Sequence, residues 1–212
     1  MKRTVFVIVL LMITILQAGS LFEKAVKASL DGNQTKAYHL MKKAAQKGDV
    51  RAQVNTGLMY EMGQGVARDY EKAKYWYEKA SKKGDPKAAY NIALLYENGK
   101  GLDRNMTKAI EWYVKAAKNG SVDAQIKLGD INAQGRVLKQ DLLSAAYWYR
   151  LAADNGYVPA QYVIGQMFAT GQGVKLNKIL AYKYWMMAAR QSHLGAQQGL
   201  DKLCEESPWA CK

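Results

Sequence analysis

The cysteines and histidines are the side chains most suited to chemistry, and the sequence contains two of each. Cys204 and Cys211 bracket Pro208 near the carboxyl end, a spacing unlike the Cys-x-x-Cys of redox enzymes. Two thiols are too few ligands for a zinc site, and neither His39 nor His193 lies at a metal-binding spacing from them. In an oxidising compartment, an even pair of this kind predicts an intrachain disulfide.

No set of a nucleophile, a base and an orienting acid accompanies the histidines. His39 and His193 lie towards opposite ends of the chain, and no serine or carboxylate near either has a recognised catalytic spacing. We therefore do not expect an enzyme, and we expect neither a cofactor nor a metal.

Paired aromatic residues and Gly-x-Gly segments recur along the chain. The aromatic pairs could suggest a stacking platform for bases or sugars; they are Trp76-Tyr77, Trp112-Tyr113, Trp148-Tyr149 and Tyr184-Trp185. The glycine segments could suggest phosphate loops; they are Gly63-Gln-Gly65, Gly99-Lys-Gly101 and Gly171-Gln-Gly173. Each motif repeats in register, and the glycines lack the preceding strand and third glycine of a nucleotide fingerprint. We interpret the rings as core side chains and the glycines as turns between helices.

A spacing of 36 residues organises these motifs. Alanines recur at this spacing in several registers, one of which contains Ala52, Ala88, Ala124, Ala160 and Ala196. Each unit holds two amphipathic helical patterns, the first opened by a cap such as Asp85-Pro86 and the second by Asp69, Asn105, Asp141 or Asn177. A period of this length with two helices per unit predicts a solenoid.

The common pattern is A-x3-[LI]-G-x2-Y-x2-G-x-G-x3-[DN]-x3-A-x2-W-Y-x2-A-A-x2-G, and it resembles the Sel-one-like repeat family of the tetratricopeptide-like superfamily. The resemblance implies an all-α fold, a right-handed α-solenoid of antiparallel helix pairs built from 36-residue repeats. The third unit departs most from the pattern, with Asn132 at an aromatic position and Val137 in place of the second loop glycine. In the second unit, Ala93 replaces the helical glycine.

The repeat divides the chain into seven segments. We expect a signal peptide, a truncated capping repeat, four full repeats, and a C-terminal capping helix with a disulfide-closed tail. Their respective ranges are 1–20, 21–48, 49–84, 85–120, 121–156, 157–192 and 193–212.

The first twenty residues have the features of a secretory leader. Lys2-Arg3 precedes an apolar run from Val5 to Leu16, and Ala18-Gly19-Ser20 forms a small-residue site that predicts cleavage after Ser20. The run is shorter than the ~20 apolar residues of a spanning helix, although an uncleaved anchor is the alternative. We expect an exported protein with no membrane span after cleavage, and the resemblance implies the periplasm.

The charge of the chain is strongly basic. The formal net charge is +13, or +11 once Lys2 and Arg3 are removed with the leader. A basic excess is compatible with nucleic acid, anionic lipid or an acidic protein, and export argues against nucleic acid. Many of the lysines could equally do no more than solvate helix faces.

The resemblance implies that the first helix of each repeat lines a concave, partner-binding face. The positions that map onto this face are Arg51, Val54, Leu58, Glu61, Lys87, Tyr90, Leu94, Glu97, Asp123, Ile126, Asp130, Tyr162 and Gln166. Apolar groups with charges around them suit a protein or peptide partner. The alternative is that some of these side chains only pack against neighbouring first helices. The first hypothesis is therefore a periplasmic adaptor, and the second is an immunity protein that neutralises a secreted phospholipase-type effector. An enzyme is the least favoured class.

Overall fold

The computed structural model describes residues 19–211, and its regular elements are all helical. Odd numbers denote the first helices of the repeats: α1 (Leu21–Leu30), α3 (Val50–Met62), α5 (Pro86–Asn98), α7 (Val122–Gln134), α9 (Val158–Thr170) and α11 (Leu194–Glu206). Even numbers denote the second helices: α2 (Gln34–Gln46), α4 (Tyr70–Lys82), α6 (Met106–Lys118), α8 (Leu142–Asp154) and α10 (Lys178–Ala189). A 3₁₀ turn, Pro208–Cys211, follows α11. Most of the predicted leader, residues 1–18, lies outside the described residues.

The helix boundaries follow the capping residues of the repeat. In α5 the carboxylate of Asp85 accepts a hydrogen bond from the backbone N–H of Ala88 at 2.8 Å, and Pro86 occupies the first turn. The helix ends at Gly99, whose φ of 66° is the left-handed conformation that glycine adopts readily. Asp69, Asp141 and Asn177 cap second helices in the same way. These predicted caps are confirmed.

The helices are grouped into two compact units, which divide at Asn105. The N-terminal unit contains α1 to α5, and the C-terminal unit contains α6 to α11. Within each unit every helix packs against the next along the chain. The two halves of the second repeat, α5 and α6, therefore belong to different units.

In the first, third and fourth full repeats, the two helices run antiparallel and approach closely at a glycine. A Cβ atom built on Gly57 of α3 would lie 2.5 Å from the Tyr77 ring of α4. Gly129 is equally close to Tyr149, and Gly165 to Trp185. Around these contacts the alanines of the repeat are almost fully buried. The prediction of an all-α fold of antiparallel helix pairs is confirmed.

The aromatic pairs pack into the core to different degrees. Trp76 is 5% exposed and Tyr113 is fully buried, as the sequence predicts. Trp112 is only half-buried, with the Lys115 Nζ 4.6 Å from its ring centroid. The core interpretation therefore holds for Trp76, but it is only partly right for Trp112.

The carboxyl end of the described chain is closed by a disulfide. Cys204, in α11, is joined to Cys211, in the 3₁₀ turn, with a Cα–Cα distance of 5.7 Å. This pairing is the one that the sequence predicts.

Over residues 19–211, none of the helices has the length and apolar character needed to span a bilayer.

Candidate protein-binding surface

The predicted surface residues of the N-terminal unit lie on α3 and α5. Arg51 and Lys87 are exposed, and Leu58, Tyr90 and Leu94 are partly exposed. Val54, at the register of Tyr90, is only 7% exposed, so its side chain offers little area to a partner. We refer to Arg51, Leu58, Lys87, Tyr90 and Leu94 as the first-helix surface.

The carboxylates beside this surface have hydrogen-bond or ion-pair partners within the chain. Asp49 and Asp85 are N-caps, and each accepts a backbone N–H three residues ahead. Glu61 accepts a hydrogen bond from the Tyr77 hydroxyl at 2.9 Å and contacts the Lys100 Nζ at 3.2 Å. These contacts leave Arg51 and Lys87 as the exposed charges of the first-helix surface.

Arg51 is itself held in place by the chain. Its guanidinium carbon lies 4.2 Å from the centroid of the Phe22 ring of α1, within the range of a cation–π interaction. A guanidinium nitrogen lies 3.6 Å from the Asp49 carboxylate. The group is therefore positioned yet still 64% exposed, and it can meet an anionic side chain without a large loss of side-chain entropy.

The predicted site residues of the C-terminal unit also make contacts within the chain. Ile126 packs against the hydrophobic core, and the Asp130 carboxylate accepts the Tyr149 hydroxyl at 2.6 Å. The Tyr162 ring stacks on His193 with centroids 4.7 Å apart, and its hydroxyl accepts a hydrogen bond from Gln166 at 3.0 Å. Ile126 and Tyr162 are nevertheless partly exposed, as Leu58, Tyr90 and Leu94 are.

Hydrogen bonds from tyrosine to carboxylate recur in the repeats, and sequence reasoning missed them. Burial and the Glu61 carboxylate raise the pKa of Tyr77, and burial and the bond to Asp130 raise the pKa of Tyr149. These phenols therefore remain protonated donors at neutral pH and tie the second helix of a repeat to the first. The arrangement is structural, because a neutral buried phenol is neither a base nor an activated nucleophile.

The basic excess of the chain is concentrated on the second helices. With their caps, the four first helices α3, α5, α7 and α9 carry three basic and six acidic residues. The five second helices carry sixteen basic and six acidic residues. Part of this charge is engaged locally: Lys72 contacts Asp69 at 2.7 Å and thereby lowers the pKa of that carboxyl, and Lys83 donates to the Gly48 carbonyl at 2.7 Å.

Two further surface features were not predicted. Tyr75 and Tyr147 share a register on second helices and are about half exposed, and the Lys79 Nζ lies 4.7 Å from the Tyr75 ring centroid. An apolar groove also runs along α10 beside the 3₁₀ turn.

Within residues 19–211, no group of three or more His, Cys, Asp or Glu side chains is arranged to hold a metal ion.

Comparison with known proteins places this architecture in a family. A model of the Sel1 repeat matches residues 19–49, 50–85, 86–121, 122–157 and 158–193. The chain therefore belongs to the Sel1 repeat family, whose repeats generally form scaffolds for protein–protein interaction. A comparison with curated protein sequences gives no significant match.

Solved structures support the same fold. A Sel1 repeat protein from Oxalobacter formigenes is 34% identical with a TM-score of 0.72, and the match covers 80% of this chain and 49% of that one. The protective antigen c5321 of uropathogenic Escherichia coli is 28% identical with a TM-score of 0.76, and the match covers 89% of this chain and 41% of that one. The chain thus spans half or less of the length of these relatives.

An immunity protein from Pseudomonas aeruginosa is a more distant match. It is 22% identical with a TM-score of 0.49, and the match covers 85% of this chain and 68% of that one. At this distance the likeness carries no argument about function.

Proposed function

We propose that this protein is an exported, non-catalytic scaffold that binds an acidic segment of a partner protein through the first-helix surface. Tyr90 and Leu94 are the apolar anchor, and Arg51 and Lys87 flank it as cations. Leu58, at the register of Leu94 in the preceding repeat, extends the apolar area. The periplasm is the compartment we propose.

The observation that carries this proposal is the combination of apolar groups and charge on α3 and α5. Tyr90, Leu94 and Leu58 remain partly exposed on well-capped helices, while the neighbouring carboxylates are N-caps or accept hydrogen bonds. A tyrosine and a leucine beside exposed cations favour an amphipathic, acidic ligand. The rigid helical support limits the entropy lost when the ligand binds.

Export is supported by the leader pattern and by the disulfide, which is stable in an oxidising compartment. Cleavage after Ser20 has a structural consequence. The Ser20 hydroxyl accepts the Glu23 N–H at 3.2 Å, and the Glu23 carboxylate accepts the Ser20 N–H at 2.8 Å, so α1 begins with a capping box. Removing Ser20 would leave α1 without this cap. The intact mass of the protein from a periplasmic extract tests the site: we expect a chain that begins at Leu21, and a retained leader would support the anchor.

The function is tested by capturing partners from periplasmic extract with two baits. One bait is the wild-type protein and the other carries Tyr90→Ala and Leu94→Ala. We expect a specific acidic protein to be enriched by the wild type and lost from the variant. Enrichment of the same protein by both baits would exclude the first-helix surface as the site.

The immunity hypothesis from the sequence is separable from a scaffolding role by the nature of the partner. A captured phospholipase, whose activity the purified protein inhibits in a stoichiometric assay, would favour immunity. A partner without lipase activity would favour a scaffold. In either case the proposed surface on α3 and α5 is the same.

A further inference from the structure

The outward face of α10 forms an apolar groove of about 490 Å³ at the C-terminal end of the described chain. Ala210 of the 3₁₀ turn lines it on one side. The remaining lining residues lie along α10 or at its C-cap and are Ile179, Tyr182, Lys183, Met186, Met187 and Arg190. Ile179 is 59% exposed, and Leu143, at the same register on α8, is 73% exposed.

The repeat register explains why this face is apolar. Tyr182 occupies the position that Ala146 occupies on α8, and Ala146 is only 2% exposed, within the same core cluster as Tyr184 of the following repeat. In addition, the Tyr184 hydroxyl of α10 donates to the Asp154 carboxylate of α8 at 2.8 Å. This face of a second helix thus receives side chains from the second helix of the next repeat. Within residues 19–211, α10 is the last second helix, and only the 3₁₀ turn contacts its outward face.

The charged residues that line the groove indicate which charge a complementary ligand would carry. Arg190 stands at the register of Asp154, so a cation occupies the position where α8 presents a carboxylate to its neighbour. Lys183 is the other charged residue of the lining, and no carboxylate is among the lining residues. Lys178, the first residue of α10, is held by the chain itself, because its Nζ donates to the hydroxyl of Ser207, just before the 3₁₀ turn, at 2.6 Å.

We propose that this groove binds an acidic amphipathic helix of a partner protein, which takes the place of a next second helix. The lining extends from Ile179 to Arg190, or roughly 16 Å at ~1.5 Å per residue, so about three helical turns fill it. Apolar side chains of the ligand pack on Tyr182 and Met186, and its carboxylates meet Lys183 and Arg190. Recognition of an apolar helical stripe by a groove of this kind is a common mode of peptide binding.

A second copy of this chain fits the groove poorly. In a symmetric dimer the same patch would face itself, so Lys183 and Arg190 would be placed against their own copies. Like charges that meet in this way oppose association. The complementarity of charge therefore favours a different, acidic chain. This site lies on α10 of the C-terminal unit and is independent of the first-helix surface of the N-terminal unit.

A synthetic helix is a suitable probe. We would use a fluorescent, capped peptide of about four turns with leucines at helical spacing and glutamates on both sides of the stripe. A matched peptide with lysines in place of the glutamates controls for apolar contact alone. Binding to the protein is measured by fluorescence anisotropy at low and high salt, and the oligomeric state by sedimentation.

The variants separate this groove from the general basic charge of the chain. Arg190→Glu should weaken binding of the acidic peptide by about fivefold to tenfold, because an exposed attraction becomes a repulsion. Lys118→Glu makes the same change at the same register of α6, away from the groove, and should leave binding within about twofold. Met186→Gln should also weaken binding, with melting measured in parallel to establish that the variant is folded.

Loss of affinity in Arg190→Glu but not in Lys118→Glu, together with weak binding of the lysine peptide, is the expected result. Equal loss in both charge variants would overturn the proposal, because binding would then follow net charge alone. Undetectable binding of the acidic peptide would overturn it as well. If only the Tyr90→Ala, Leu94→Ala variant loses affinity, the peptide binds the first-helix surface instead of the groove. If sedimentation shows a dimer whose stability Arg190→Glu alters, the groove is occupied by a second copy of the chain.

Discussion

The close approach of α3 and α4 at Gly57 allows the effect of Gly57→Ala on stability to be predicted. In most helices this substitution is favourable by about 1 kcal/mol, because alanine has the higher helix propensity. Here the new Cβ would lie 2.5 Å from Cε1 of Tyr77, whereas carbon atoms in contact are ordinarily separated by ~3.5–4.0 Å. The ring must therefore move by roughly 1 Å to accommodate the methyl group.

The Tyr77 ring has little freedom to move. It is fully buried, and its hydroxyl donates to Glu61 at 2.9 Å. Overpacking of a core by a methyl group costs about 1–3 kcal/mol, and the gain in propensity offsets part of this. We expect Gly57→Ala to be destabilising by up to about 2 kcal/mol net, as measured by urea unfolding followed by far-UV circular dichroism.

A double-mutant cycle identifies the ring as the cause. In a Tyr77→Leu background the clash is relieved, and Gly57→Ala should become neutral or stabilising by up to about 1 kcal/mol. Repeat two supplies a control, since its natural residue at this register is Ala93. Ala93→Gly should lose about 1–2 kcal/mol through helix propensity and a buried methyl group. Stabilisation by Gly57→Ala in the wild-type protein would refute the packing argument.

Three further predictions concern the tail, the phenols and the tryptophans. Cys204→Ser should lower the stability of α11 and the 3₁₀ turn by about 2–3 kcal/mol, seen as faster hydrogen exchange in that segment; exchange that matches the wild type would contradict this. Burial, and then the bond to Asp154, raise the pKa of Tyr184 to about 12 from an ordinary 10.0. The protonated phenol therefore contributes stability that is complete below pH 10 and declines as the pH rises towards 12. Tyr184→Phe should show a shallower decline of the urea midpoint over this range, and parallel curves would contradict the assignment. Trp76→Ala should cost about 3–5 kcal/mol, and Trp112→Ala should cost less because Trp112 is more exposed; equal losses in melting experiments would contradict the difference in burial.

The repeat and its caps were predictable because each is a local property of the sequence. Asp85, Pro86 and Gly99 act within a few residues of their own positions, so their roles can be assigned without knowledge of tertiary contacts. Recurrence at 36 residues then indicates that the same helix pair is built again. The lone cysteine pair was predictable for a similar reason, because Cys204 and Cys211 have no other cysteine with which to pair.

The burial of individual side chains was less predictable, because it depends on which neighbours are present. Trp112 and Trp76 share one register, yet they differ in exposure. Tyr162 stacks on His193, a residue of the next repeat, and its register alone does not reveal this contact. The groove on α10 has the same origin, since it arises where the series of second helices ends within the described chain.

The contacts of the carboxylates on the predicted face were not predicted from the sequence either. Glu61 and Asp130 occupy different registers, and each nevertheless accepts a hydrogen bond from the tyrosine of its own second helix. Spacing alone does not reveal this, because the contact depends on the rotation of one helix against the other. Its consequence is that the cations Arg51 and Lys87 dominate the exposed charge of the first-helix surface.

The most direct test of the proposed scaffold function uses a double variant that carries Tyr90→Ala and Leu94→Ala. Its binding kinetics with the captured partner are measured together with its own thermal melting. We expect the double variant to dissociate faster, with a loss of about 2 kcal/mol or more in binding free energy, while its melting temperature stays near that of the wild type. Lys87→Glu should instead slow association and reduce its dependence on salt. Unchanged binding by a double variant that melts like the wild type would contradict the assignment of the first-helix surface as the binding site.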